Sequence, residues 1–387
     1  MPINFFIYSA SDRYNLGDLL YPIVSQYFLN EKENKFSYYA LTKSDLSIYG
    51  AKKTFGYKKL LKDLNNETSK VLFIAGGDGL CCHKEILFSH GSFFDHFFSK
   101  IVISSPYFLR IIQKIYWIMR DFFRRSTPPY PFIFQKKNNL ILIYNSVSGS
   151  RNFSKIDAYK FQENVNFCSV RSKKDFEVFE DFSKITLSPD SITLLSKIYP
   201  TPTFHNHLSI PKKFIFFQVS LHVFKEKSNE IIDSINSIYL ETRIPFVLCP
   251  IGLAYEHEDD IALTEISKKI NAEHYLIRKP HIMDIITLLS RSELYIGTSL
   301  HGTIISMSFA RPYIGIRLVT KVADYLDTWS IKELNGCDQY PDLINKVKAI
   351  RCDKTIYQKL EEQKKRLSDL AEKNFFKIND IIKKNDQ

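Results

Sequence analysis

Glycine is scarce in this sequence, with 13 in 387 residues, about half the usual share of roughly 7%. Each glycine therefore marks a place where backbone must turn sharply or something must approach it closely. No uncharged apolar run reaches the roughly 18 residues of a membrane-spanning helix. The six cysteines, Cys81, Cys82, Cys168, Cys249, Cys337 and Cys352, form no Cys-x-x-Cys pair and no zinc-ligand spacing. In a chain of this size they read as reduced thiols of a cytoplasmic protein, and no metal is expected. Lys and Arg exceed Asp and Glu by 11, yet no basic block of the nucleic-acid type occurs. The excess is spread out, which favours small anionic substrates or an acidic surface over nucleic acid. The opening apolar run Phe5-Phe6-Ile7-Tyr8 has no basic flank and no cleavage site, so it reads as a first strand rather than a signal peptide.

What the sequence has is ordinary globular material, 44% apolar and 25% charged, with an unusual 14% aromatic share. Its length predicts two domains. Short apolar runs alternate with amphipathic stretches. The runs are Ile3–Ser9, Val71–Ala75, Leu140–Tyr144 and Asn166–Val170, then Phe214–Val219, Phe246–Cys249, His274–Ile277, Leu294–Gly297 and Tyr313–Ile316. Helices are expected up to Phe28, over Ser172–Phe182, Ser228–Leu240, Asp259–Ile270, Ile282–Ser290 and His301–Phe309, and from Asp353 onward. Buried strands alternating with helices predict parallel sheets covered on both faces. The proline cluster Pro189, Pro200, Pro202 and Pro211 divides the two series. The expectation is two Rossmann-like α/β domains, 1–205 and 206–345, facing a cleft, followed by a helical segment, 346–387. Ligands of such sheets sit at the strands' carboxyl ends, beside helix N-termini.

Residues 83–139 interrupt this pattern. From Ser105-Pro106 the polar residues Arg110, Gln113, Lys114, Arg120, Asp121 and Arg124 recur at helical spacing, with apolar residues between them. A helix over 105–125 with this surface suits an anionic bilayer. It equally suits burial against the domain or a homodimer contact.

Several clusters could carry chemistry. Asn15-Leu16-Gly17-Asp18 sits at a strand-to-helix turn, as a ligand loop or as an ordinary N-cap region. Gly76-Gly77-Asp78-Gly79 follows a buried strand but is neither a dinucleotide fingerprint nor a P-loop. Arg171 ends a strand at the cleft and could fork onto a carboxylate or phosphate, or pair with Asp175. Asp190, after Pro189, reads as a cap. His257, Asp259 and Asp260 lie close together, as a metal site or, more in keeping with carboxylates at a helix start, as ordinary helix caps. The sharpest feature is Gly297-Thr298-Ser299-Leu300-His301-Gly302, a histidine where a strand gives way to a helix. An imidazole there suits acid–base work beside an anion. Lys321 follows the last strand.

Taken in order, Asn15-x-Gly17-Asp18, Gly76-Gly77, Val170-Arg171, Pro189-Asp190, His257-x-x-Asp260, Ser299-Leu300-His301-Gly302, Arg311-Pro312 and Lys321 resemble the polysaccharide pyruvyl transferase family. The resemblance implies a GT-B type fold and transfer of the enolpyruvyl group of phosphoenolpyruvate to sugar hydroxyls, usually as a cyclic ketal. It implies no other cofactor. By the same likeness His301, Asp18 and Lys321 are catalytic. Arg171, Lys321, Ser299, Leu300, His301, Gly76 and Gly77 hold the donor. Asn15, Asp18, His257 and Asp260 face the acceptor, a glycan or lipid-linked saccharide at the inner face of the cytoplasmic membrane. Ser299 stands where many members carry Arg, a role Arg317 would take over, and Asp78 replaces a third glycine. Two alternatives remain open at this point: a nucleotide-sugar glycosyltransferase, or a non-catalytic assembly factor on the same fold.

Overall fold

The computed structural model describes residues 2–30, 32–66, 70–89, 127–137, 139–150 and 153–385. Six parallel strands form the first sheet, in the order β2-β1-β3-β4-β5-β6. They are β1 (Asn4–Tyr8), β2 (Lys35–Tyr39), β3 (Lys70–Ala75), β4 (Leu140–Val147), β5 (Phe167–Val170) and β6 (Ile185–Leu187). Five parallel strands form the second, in the order β11-β10-β7-β8-β9. These are β7 (Ile215–Gln218), β8 (Phe246–Leu248), β9 (His274–Leu276), β10 (Leu294–Gly297) and β11 (Tyr313–Gly315). The central strands β3 and β4 are buried along their whole length, which is why they read as unbroken apolar runs rather than alternating ones. Helices cover both sheets, giving two Rossmann-like α/β domains.

Two strands were not expected, and both are edges. β2, Lys-Phe-Ser-Tyr-Tyr, is half-exposed and pairs only with β1; β6 is three residues long and pairs only with β5. An edge strand meets partial solvent, so its composition lacks the apolar run that marks a central strand. The expected helix over Ser172–Phe182 is broken into a turn of α-helix, Lys173–Phe176, and a 3₁₀ turn, Glu177–Phe179. The helix expected from Ser228 begins at Leu221 and bends at Lys227, where φ is −127°.

One hydrophobic core runs through both domains, from Ile7 and Phe73 to Phe216, Val247 and Ile296. The end of the chain closes it. Leu343–Cys352 lies against the second domain, whereas the 30-residue helix Ile356–Asn385 crosses back to the first. There Phe375 stacks on Phe28, with ring centres 5.1 Å apart, and lies parallel to Phe73. The Asn374 amide donates to Asn145 Oδ1 at 2.8 Å. The helix Ile356–Asn385 thus forms a strap between the two domains.

Beside the cleft the domains also join by backbone. Asn15 and Gly252 form an antiparallel bridge, Leu16 N donates to Ile251 O, and Leu253 N donates to Tyr14 O. The flank of the interrupting segment is anchored as well, with Phe132 stacked on Tyr8 at 4.6 Å. The helix expected over 105–125 lies outside the described residues. Among the described residues no helix is long and apolar enough to cross a membrane.

Because Phe375 is buried between elements far apart in sequence, Phe375→Ala is expected to cost about 3–5 kcal/mol. Urea unfolding followed by circular dichroism measures it. A loss below about 1 kcal/mol would mean the strap does not hold the two domains together.

Candidate active site

The site lies where the carboxyl ends of both sheets meet. A cleft of about 420 Å³ is lined by the first turns of three helices. Leu221–Thr242 contributes Ser220, His222 and Val223; Leu300–Ser308 contributes Ser299, Leu300 and His301; Thr320–Trp329 contributes Thr320 and Lys321. First-turn N–H groups have no intrahelical partner and carry the positive end of the helix dipole, so their convergence makes a site for anions. Gln218, the polar end of an otherwise apolar strand, fixes this geometry. Its Oε1 accepts from Thr298 N and Ser299 N at 3.1 and 2.9 Å, and its Nε2 donates to Asp259 at 2.8 Å.

Lys321 lines the cleft and, among the described residues, its ammonium makes no ion pair or hydrogen bond. It is near enough to pull on Asp18, Asp78 and His301. His301 is buried, its ring packed on Gly17 so closely that a Cβ there would stand 2.0 Å from Cε1. Burial first, then the positive charges of Arg171 and Lys321, hold the imidazole well below its ordinary pKa, so it is neutral at pH 7. Asp18 sits in the same turn, with Asn15 Nδ2 donating to it at 2.9 Å. Burial outweighs Arg13 and Lys321 and pushes its carboxyl up to about 6. A neutral imidazole beside a carboxyl titrating near neutrality supplies an acid–base pair.

Arg171 does not line the cleft but lies behind His301, joined to it through Tyr21, and is 4% exposed. Nη1 donates to Tyr21 Oη at 3.0 Å and Asp190 Oδ2 at 3.2 Å; Nη2 donates to Asp78 Oδ1 at 3.0 Å and Ser148 Oγ at 2.8 Å. It does not pair with Asp175, which instead accepts from Gly149 N, Ser150 N and the Ser172 hydroxyl. Burial disfavours the Asp78 carboxylate, but Arg171 and Lys321 outweigh it and hold the group at about 2. Asp190 both caps Ser191–Leu194 through Ile192 N and accepts from Tyr21 Oη at 2.6 Å.

The structure gathers Asn15, His257, Ser299, Leu300, His301 and Lys321 at one cleft, with Asp18 and Arg171 directly behind it. It moves four others. Arg317 is not among the residues lining the cleft; Asp327, Asp338 and Asn335 hold its guanidinium. Gly76 serves Tyr21 rather than a donor: a Cβ there would lie 2.0 Å from the tyrosine ring. Gly77 faces Asp18. Asp260 is displaced by its neighbour Asp259, which is fully buried in the cleft wall and accepts from Ile251 N, Gly252 N and Gln218. Burial pushes the Asp259 carboxyl up to about 7.

Tyr21 and Gln218 were not singled out from the sequence. Tyr21 stands three and four residues after Asp18 and Gly17, on the same helix face, and that spacing was the available signal.

Residues 15–318 match the model of the polysaccharide pyruvyl transferase family. The chain belongs to the polysaccharide pyruvyl transferase family. It is therefore a transferase. No curated protein sequence matches it. Among solved structures, the UDP-GlcNAc 2-epimerase of Neisseria meningitidis bound to UDP-GlcNAc is similar in fold. There the TM-score is 0.54 at 11% identity, over 97% of this chain and 99% of that one. The Methanocaldococcus jannaschii UDP-GlcNAc 2-epimerase matches with a TM-score of 0.52 at 13% identity, over 92% and 94%. A UDP-glucosyltransferase from Polygonum tinctorium matches with a TM-score of 0.51 at 9% identity, over 99% of each chain. At these identities the likeness is one of fold: this pyruvyl transferase family member has the two-domain GT-B architecture.

Asp18 gives a signed prediction. Its folded-state pKa, about 6 against an ordinary 3.8, means the folded state holds the proton more tightly than the unfolded chain. The stability this confers is present below pH 4 and is lost as pH rises towards 6. Asp18→Asn does not titrate, so its stability should gain on the parent between pH 4 and pH 7, by at most about 3 kcal/mol. Thermal midpoints across that range measure the gap; a gap that stays constant would show an unperturbed carboxyl.

Proposed function

We propose that this protein transfers the enolpyruvyl group of phosphoenolpyruvate to two hydroxyls of a sugar in a surface glycan or its lipid-linked precursor, forming a pyruvate ketal. The observation that carries the reading is the Lys321 ammonium, without an ion pair or hydrogen bond among the described residues, in a cleft onto which three helix N-termini converge. Such a site suits a small donor bearing both a phosphate and a carboxylate. Arg171 supports it indirectly, since its guanidinium is occupied by protein acceptors. The donor's charge then falls to Lys321 and the first-turn amides of Leu300, His301, Thr320 and Lys321.

The reaction balances with the groups at hand. An acid adds a proton to C3 of the donor, leaving an oxocarbenium-like centre at C2; Asp18, with its raised carboxyl pKa, suits this step. The neutral His301 takes the proton of one sugar hydroxyl, whose oxygen bonds to C2. The C2–O bond to phosphate breaks, phosphate leaves with a proton, and the second hydroxyl closes the ring on C2, its proton replenishing the acid. No metal or further cofactor enters these steps. Asn15 and His257, which also line the cleft, would meet the acceptor. A lipid-linked acceptor would put the enzyme at the inner face of the cytoplasmic membrane, consistent with the basic apolar helix expected over 105–125.

The test is incubation of the protein with phosphoenolpyruvate and a panel of lipid-linked oligosaccharides, following phosphate release and the mass of the glycan. His301→Ala should lower kcat by about 100-fold or more. Lys321→Met should raise the KM for phosphoenolpyruvate at least about tenfold, the loss of one charge-assisted contact. Thermal protection by uridine nucleotides with none by phosphoenolpyruvate would overturn the reading.

A further inference from the structure

Behind His301 lies a buried chain of polar groups that the proposed reaction does not itself use. His301 Nε2 is 3.1 Å from Tyr21 Oη, and Tyr21 Oη is 2.6 Å from Asp190 Oδ2. Arg171 Nη1 reaches both oxygens, at 3.0 and 3.2 Å. Tyr21 and Asp190 are fully buried, and the tyrosine ring occupies the space left by the missing side chain of Gly76. A buried tyrosine could be anchored by any one acceptor. Here three groups converge on one hydroxyl, and their donor and acceptor capacities must be reconciled.

We infer that Tyr21 is a positioning residue that holds His301 as the Nε2–H tautomer, leaving Nδ1 as the atom that accepts a proton. A tyrosine hydroxyl carries one proton and two acceptor positions. The short contact to Asp190 uses the proton, because a carboxylate can only accept. Arg171 can only donate, so it takes one lone pair of the hydroxyl. The remaining lone pair faces Nε2, which must supply the hydrogen. A neutral ring has a single proton, so Nδ1 is bare. Among the described residues no group hydrogen-bonds Nδ1, and this nitrogen lies on the side of the ring that packs against Gly17. That is the turn carrying Asn15, assigned above to the acceptor, and Asp18, assigned above as the acid.

The opposite order would require a protonated Asp190 that gives its hydrogen to Tyr21, and Tyr21 in turn to Nε2. Burial does push the Asp190 carboxyl up. Against that, the Arg171 guanidinium and Ile192 N both donate to it, and those bonds are strongest to the anion. The carboxylate order is therefore the consistent one, and it gives the buried Arg171 a purpose. It holds Asp190 ionised and Tyr21 oriented rather than touching the donor.

The proposal rests on the reading of His301 as base, but its test does not depend on it. In the resting protein with ¹⁵N-labelled histidine, proton-detected long-range correlation spectra at pH 7.5 should show a protonated Nε2 and an unprotonated Nδ1 for His301, assigned by loss of the signals in His301→Gln. Tyr21→Phe keeps the ring packed on Gly76 and should shift His301 toward Nδ1–H. It should lower kcat about 100-fold with the KM for phosphoenolpyruvate unchanged and the thermal midpoint within a few degrees. A parent spectrum with Nδ1–H, or a Tyr21→Phe spectrum identical to the parent's, overturns the proposal. The spectra decide the tautomer whatever the donor proves to be, so this claim and the proposed reaction fail separately.

Discussion

A guanidinium stripped of water must be answered on every side, and Arg171 is. It is held by Asp190, Asp78, Tyr21 and Ser148, while its own carbonyl accepts from the indole of Trp329 at 2.8 Å. These partners come from five places: the first helix, the ends of β3 and β4, the turn after β6, and a helix of the second domain. Taking a charge out of water costs several kcal/mol and is repaid only by such complete satisfaction. The arginine therefore ties these elements together at one point. The same charge depresses the pKa of His301 and keeps Asp78 ionised. Structure and acid–base character share one cause.

Scarce glycine fits this picture. Where the first helix meets the second domain, Gly17 lets the His301 ring lie directly on the helix backbone. After β3, Gly76 adopts φ of +62° and leaves room for Tyr21. Both permit a contact between a ring and a backbone that any side chain would block. Between them they bring the imidazole and the tyrosine hydroxyl within hydrogen-bond distance.

The cleft's affinity for anions has a different origin. It arises from topology, since parallel sheets deliver every following helix with its N-terminus toward the same edge. Two such sheets face one another, tied by the strap Ile356–Asn385 and by the bridge between Asn15 and Gly252. Three helix N-termini then point into one cavity. Ser220, Ser299 and Val319 start these helices, and Lys321 adds a full charge where partial ones already converge.

Much of this was legible in the chain. Unbroken apolar runs such as Val71–Ala75 and Leu140–Tyr144 disclose central parallel strands, because burial on both faces leaves no polar position. The ordered motifs, from Asn15-x-Gly17-Asp18 to Ser299-Leu300-His301-Gly302, point to the family, and His301 at a helix start marks a candidate acid–base group. Edge strands β2 and β6 escaped, since partial exposure erases the pattern. So did the choice between Asp259 and Asp260, adjacent carboxylates that differ only in which one the helix turns inward. Arg171 and Arg317 look equivalent as text, each a cation just after a strand. One is sealed among four acceptors and the other is paired at the surface with Asp327 and Asp338. Local sequence determines which segments become strands and helices, because periodicity and burial are local properties. Partnership does not follow from it: the meeting of Tyr21, Asp190 and His301, separated by up to 280 positions, is decided only when both sheets and the closing helix are in place.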